Sequence, residues 1–278
     1  MGKASRAKAQ RRLVPSPAGG PGQTGPRSTP RGRPRRVSLT PARTLVFGLA
    51  TALVVAGALI GVSVAGSGNS SKPRATTVTG AAATNALFRG IPQQGNVLGN
   101  PNAPGTLVEF AEPQCPICGA WARETLPTIV RDYVRTGKLK IVFRGISFIQ
   151  PTDDSERALR ALAASGAQGR QFQLLDLLYR NQGEEGSGWI TDDLLRSLGG
   201  AVRGLDVHRM MVDRSSGTTN AQIRSAASAA AQAMGSALRT PTFLAGGSAG
   251  TLAPMPISTA DQLGPAGFGA LLDQMTSR

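Results

Sequence analysis

The sequence predicts an α/β fold: strand, helix, strand, a long helical insert, strand and helix, set behind one apolar span and a basic tail. Three observations predict it. A cysteine pair, Cys115 and Cys118, lies between a short apolar run and a helical pattern. After residue 96 the apolar period switches repeatedly between strand-like and helical. The unbalanced positive charge gathers in the first 43 positions, just ahead of 23 consecutive uncharged ones.

Residues 1–43 hold eleven Lys or Arg and no Asp or Glu. Rich in Arg, Pro, Gly and Ser, they cannot bury enough apolar surface to offset their ordering entropy, so they read as a disordered basic cytoplasmic tail. Residues 85–278 carry 18 of the 31 basic residues against all 16 acidic ones, so most of the net charge of +15 belongs to the tail. A nearly neutral body has no basic face for nucleic acid, and the tail has no aromatics to stack on bases.

Residues 44–66 are uncharged, and at about 1.5 Å per residue they can span a hydrocarbon core of about 30 Å as a transmembrane helix. The positive flank keeps the tail inside and places the body outside the cytoplasm. Ser63-Val64-Ala65 would suit a signal peptidase. However, the apolar run exceeds a signal-peptide core and its leader is long, which favours an uncleaved anchor. Gly57 and Gly61 form a Gly-x-x-x-Gly pair, a weak signal for helix dimerisation in a span already rich in small residues. Residues 67–95, rich in Ser, Gly, Thr, Ala and Asn, read as a flexible tether, so the folded domain is expected over 96–278.

Within that domain Thr106 to Ala111 is a buried-strand candidate. After the cysteines, Ala122, Leu126, Ile129, Val130 and Tyr133 share one helical face, with Pro127 predicting a kink and Gly137 a C-terminal stop. Leu139 to Phe143 is the second strand. Residues of the insert, about 151–235, are helical in pattern from 155 on, broken near 183–188, 199–200 and 215–217. Thr242 to Ala245 is a third strand, and a last helix over 265–276 turns Phe268, Leu271, Leu272 and Met275 inward. Two parallel strands joined by a helix make a βαβ unit, right-handed by rule.

Cys115-Pro116-Ile117-Cys118 follows the first strand and opens a helix. There the first thiol meets unpaired N–H groups and the positive end of the helix dipole, which favour the thiolate, the species that attacks disulfides. Cys118, one turn on, is placed to resolve the mixed disulfide. Half a zinc site is disfavoured, because His208 is the only other Cys or His and structural zinc takes four ligands. An inert staple is disfavoured too, since so short a loop closes little entropy. Glu109, six residues before Cys115, lies on the first strand; if buried, its pKa should rise and it could exchange a proton with the resolving thiol. A solvated strand-edge position stays open. Thr240-Pro241-Thr242-Phe243 starts the third strand, where proline costs no ladder donor.

These residues resemble the DsbA-like branch of the thioredoxin superfamily, the bacterial extracytoplasmic disulfide oxidoreductases. The likeness spans residues 97–276, through Val108-Glu109-Phe110, Gln114 to Cys118, Leu126-Pro127, Thr136-Gly137-Lys138, Val142-Phe143-Arg144, Leu178 to Gln182, Gly204 to Val207 and Thr240 to Phe243. It implies a thioredoxin-like fold, a cis Pro241 packed on the cysteines, Glu109 as the buried acid near Cys118, and Thr240, Pro116 and Ile117 facing the substrate. Catalysis would rest on Cys115, Cys118, Glu109 and Pro241, with no cofactor or metal. Glu112-Pro113, Ile117 and Gly145-Ile146-Ser147 depart from the family pattern; the position of Ile117 influences the redox potential.

Oxidation of cysteine pairs in exported proteins is the function implied, with reoxidation by a membrane quinone reductase of DsbB or VKOR type. A reductase or isomerase fed by a membrane electron donor is the alternative within the same chemistry. A chaperone or metal-handling module that keeps the fold without catalysis is the alternative outside it.

Overall fold

The computed structural model describes residues 77–248 and 251–277. The basic tail, the apolar span and the first part of the tether, residues 1–76, lie outside the described residues. Among the described residues no helix is long and apolar enough to cross a membrane.

The second half of the expected tether is folded. Helix α1 (Ala81–Leu87) is followed by strands β1 (Gln93–Gln94) and β2 (Val97–Leu98). Small polar residues suggested a tether, but this stretch is held by tertiary contacts. Thr84 is buried and donates to Asp176, Phe88 packs 6.4 Å from Phe172, and Asn181 bonds both the N–H and the carbonyl of Thr79. The folded body therefore includes Thr79 and α1, well ahead of residue 96.

Strand β3 (Gly105–Ala111) is the centre of the sheet. Its helical continuation comes in three pieces: α2 (Pro116–Glu124), α3 (Leu126–Ile129) and a π-helical turn, Val130–Val134. The break falls at Thr125, two residues before Pro127. Proline has no N–H to continue the ladder and its ring crowds the preceding turn, which gives the expected kink. Gly137 follows with φ 74°, the left-handed stop. Strand β4 (Leu139–Gly145) returns parallel to β3, with Leu107 opposite Ile141 and Glu109 opposite Phe143.

The insert is α4 (Asp154–Gly166), α5 (Gln171–Arg180), α6 (Asp192–Ala201), α7 (Val207–Asp213) and α8 (Gly217–Met234). The break expected near 199–200 falls just after it, where α6 ends at Ala201 and α7 begins at Val207. Gly199 sits inside α6, where an added Cβ would lie 3.2 Å from Val207 and 3.3 Å from Met210, so this glycine serves close helix packing rather than a stop. Helices α4 and α5 are divided at Gly169, which has φ 66°. Strand β5 (Thr242–Gly246) runs antiparallel on the other side of β3, with Glu109 opposite Phe243. Strand β6 (Ala253–Pro254), a 3-10 turn (Ala260–Leu263) and α9 (Pro265–Thr276) close the chain.

The sheet order is β1-β2-β4-β3-β5-β6. Its core holds Leu107, Ile141, Phe143, Phe243 and Ala245 together with Leu174, Leu177 and Leu178 of α5. On α9, Phe268 and Leu272 are buried, and Leu271 and Met275 pack against the same core. This is an α/β thioredoxin-like fold with a helical insert.

Candidate active site

Cys115 caps α2. Its backbone is extended (φ −63°, ψ 118°), and its sulfur accepts the N–H of Cys118 at 3.4 Å. Pro116 occupies the first turn, where its missing N–H would be unpaired in any case. Cys115 is 7% exposed and Cys118 fully buried beneath it, while Ile117 stands 52% exposed beside the pair.

The Thr240–Pro241 bond is cis, and Thr240 lies against the Cys115 sulfur. Two groups of Thr240 act in opposite senses. Its carbonyl, 3.5 Å from the Cys115 sulfur, can only accept and so favours the thiol, whereas its side chain favours the thiolate. The thiolate prevails. The hydrogen bond from the Cys118 thiol is the largest influence, and with the Thr240 side chain and the N–H groups of Cys118 and Ile117 it outweighs burial. Together they lower Cys115 from the ordinary 9.0 to about 6. Burial, the bond to Cys115 and the charge on Cys115 push Cys118 far upward.

Glu109 lies on the central strand with β4 and β5 on either side, so the strand-edge position is overturned. It is 2% exposed, and its Oε1 has no hydrogen-bond partner. Burial first, and the charge on Cys115 second, raise it from 4.5 to about 8. Its charge also contributes to the upward shift of Cys118.

The pair, Glu109, Thr240 and Pro241 are thus brought together, with Pro116 and Ile117 at the exposed rim. Four further residues around the site were missed from sequence. Glu112 is fully buried and Gln114 nearly so; Tyr179 donates to the Glu112 carbonyl at 3.2 Å, and Gln182 donates to the Cys115 carbonyl at 3.1 Å. Glu112 and Gln114 flank Pro113 next to the motif, which is a local signal. Tyr179 and Gln182 lie more than 60 residues away and carry no local signal, only their place in the Leu178 to Gln182 stretch of the family resemblance.

A groove of about 480 Å³ runs beside the cysteines, lined by Ile117, Trp121, Thr125, Leu263 and Pro265 among others. A larger cavity, about 700 Å³, lies among Arg157, Arg160, Arg214 and Asp192, but it contains no cysteine and its arginines are already paired with acids.

Alkylation of Cys115 by iodoacetamide in the reduced chain is expected to reach its plateau with a midpoint near pH 6 rather than 9.0; a midpoint above pH 8 would contradict this account. The same shift is linked to stability. A thiol held below its unfolded value stabilises the reduced fold fully above 9.0, and the gain disappears as pH falls through about 6. The Tm of the reduced wild type minus that of reduced Cys115→Ser is therefore expected to grow between pH 6 and pH 9.

Fold and site together define a class: a protein of thioredoxin-like fold with a two-cysteine centre. Residues 93–258 match the family model described as Thioredoxin, and the chain belongs to that family. It is 32% identical over 114 residues to the probable disulfide bond formation protein D of Bacillus cereus, covering 41% of this chain and 52% of that protein. It is 28% identical over 106 residues to disulfide bond formation protein D of Bacillus subtilis, covering 37% and 46%. The match thus spans about half the length of these curated relatives. The crystal structure of oxidised BdbD from Bacillus subtilis superposes with a TM-score of 0.53 at 19% identity, over 66% of this chain and 96% of that one.

Proposed function

We propose that the chain is an extracytoplasmic thiol–disulfide oxidoreductase that oxidises cysteine pairs of exported proteins through the Cys115–Cys118 disulfide. The observation that carries this reading is the asymmetry of the two thiols, one lowered to about 6 and the other raised. A stabilised Cys115 thiolate favours the reduced pair, which makes the disulfide a stronger oxidant.

A substrate thiolate attacks the Cys115 sulfur; the bond to Cys118 breaks, and Cys118 leaves as a thiolate that takes up a proton. Glu109, protonated near neutral pH, supplies it. The second substrate thiolate then attacks the substrate sulfur of the mixed disulfide and releases Cys115 as its stable thiolate. Two electrons pass from the substrate dithiol to the pair. Thr240 and Pro241 present the edge on which the substrate backbone docks, and Pro116 and Ile117 form the rim. A membrane quinone reductase of DsbB or VKOR type returns the pair to the disulfide. The apolar span over 44–66 holds the chain on the cytoplasmic membrane with this domain outside.

The reduction potential, measured against glutathione buffers on the full chain, tests the direction. A value toward about −120 mV is expected for an oxidant of the DsbA type; one near about −270 mV, as in thioredoxin, would overturn it in favour of a reductase.

A further inference from the structure

The active-site loop is not held by the sheet alone. Between the end of β3 and Cys115 lie Glu112, Pro113 and Gln114, and each is tied to the insert. The Ser155 hydroxyl, near the N-terminus of α4, donates to Oε1 of Glu112. The Gln114 N–H donates to Oε2 of the same carboxylate at 2.6 Å. The Gln114 side chain closes the circuit by donating to the Ser155 oxygen at 2.8 Å and accepting the Gly186 N–H at 2.8 Å. Gln182 reaches the carbonyls of Pro113 and Cys115. All three of Glu112, Gln114 and Ser155 are buried, at 0–1% exposure.

A buried carboxylate is costly unless its oxygens are satisfied. Here each oxygen has a donor, and the two donors come from separate parts of the fold: one from the insert, the other from the residue immediately before the reactive cysteine. We propose that Glu112 is the positioning residue through which the helical insert holds and tunes the reactive thiol: its carboxylate clasps Ser155 to the Gln114 amide and sets a negative charge beside the Cys115 sulfur.

The charge has a defined set of neighbours. The titratable groups that face Glu112 are Cys115 on α2, whose thiolate repels it, the Cys118 thiol, which receives the Glu112 N–H, and Tyr179 on α5, whose hydroxyl donates to the Glu112 carbonyl. Tyr179 also faces Glu109 and both cysteines. Burial raises Glu112 from 4.5 to about 7, against the lowering effect of Ser155 and of the Gln114 N–H. The carboxylate and the Cys115 thiolate therefore titrate in overlapping ranges, and each disfavours the charge of the other.

This inference rests on Cys115 being the attacking thiol, and the test separates the two. Cys115 alkylation is followed from pH 4 to 9 on the reduced full-length chain by mass spectrometry, in wild type, Glu112→Gln, Ser155→Ala and the double variant, with thermal melts as a fold control. Glu112→Gln keeps the shape and removes the charge. The expected result is a Cys115 midpoint lower by about half a pH unit or more, because a like charge nearby has gone. Ser155→Ala removes a donor that favours ionised Glu112, so the midpoint moves in the same direction by less. The double variant shifts no further than Glu112→Gln alone, since both act through one carboxylate.

A purely structural role predicts slower or faster alkylation at every pH with the midpoint unmoved. That result in either folded variant, or a midpoint that rises, would overturn the proposal. A wild-type chain in which Cys118 alkylates as fast as Cys115 would instead sink the assignment of the nucleophile. If Glu112→Gln does not fold, Ser155→Ala decides alone.

Discussion

Cys115→Ser abolishes disulfide transfer to a reduced two-cysteine model peptide, whereas Cys118→Ser attacks a one-cysteine peptide supplied as its disulfide-linked dimer, releases one copy as a thiolate and keeps the other as a mixed disulfide that does not turn over. The loss in the first variant is expected to be on the order of 10³-fold or more, the scale of removing a nucleophile from a set that acts as a unit. The reason is the separation of roles in the site. Cys115, at the helix N-terminus, keeps 7% of its surface exposed, with its thiolate favoured; Cys118 is fully buried with its thiol favoured. Only Cys115 can be reached by an incoming sulfur. Without Cys118 the mixed disulfide meets no resolving thiol, because the peptide brings a single cysteine and no other cysteine exists in the chain. Non-reducing electrophoresis and mass spectrometry of the trapped adduct read both outcomes. A trapped adduct in Cys115→Ser, carried by Cys118, with none in Cys118→Ser would reverse the assignment. Unchanged activity of Cys115→Ser in holding unfolded substrate would favour a chaperone on the same fold.

Phe268→Ala is expected to cost about 3–5 kcal/mol of stability, the usual range for emptying a buried aromatic site. Three rings meet here from three elements. Phe268 of α9 lies 5.3 Å from Trp121 of α2 and 4.8 Å from Phe243 of β5, and Trp121 lies 4.8 Å from Phe243. Phe268 is fully buried. Such pairs add about 0.5–1.5 kcal/mol beyond the area they bury. The cluster pins the helix that begins at Cys115 to the strand that begins just after Pro241. Against a total stability of about 5–15 kcal/mol, the loss is large. Urea unfolding of the reduced chain measures it, with exposed Gln274→Ala on the same helix as a control expected within about 0.5 kcal/mol. A loss below about 1 kcal/mol would mean that α9 is not part of the cooperative core.

Much of the site could be read locally because its chemistry is local. A strand-like run, two cysteines at helical spacing and a proline at the first helical turn place a thiol at a helix N-terminus, and the structure has Cys115 as that cap. The three longer strands and α9 were legible for the same reason. Each carries an apolar pattern whose period is set by its own geometry, as in the Phe268, Leu271, Leu272 and Met275 face. The short strands β1, β2 and β6 were not legible, since two residues carry no period. Helix α1 was hidden by its small polar composition, although Thr84 and Phe88 are buried against α5.

What the sequence by itself determined is therefore the order of the main elements and the placement of the two thiols, because these follow from neighbours within a turn or a strand. What only the tertiary structure decided is the environment that makes the thiols unequal. Glu109 reads equally as buried acid or solvated edge until β4 and β5 are seen on both sides of it. Thr240 is 125 positions from Cys115, yet its carbonyl lies 3.5 Å from the sulfur. Glu112 seemed a departure from a family pattern until α4 brought Ser155 to it. Burial and charge act through space, and the separations along the chain that bring these groups together leave no periodic trace in the residues between them.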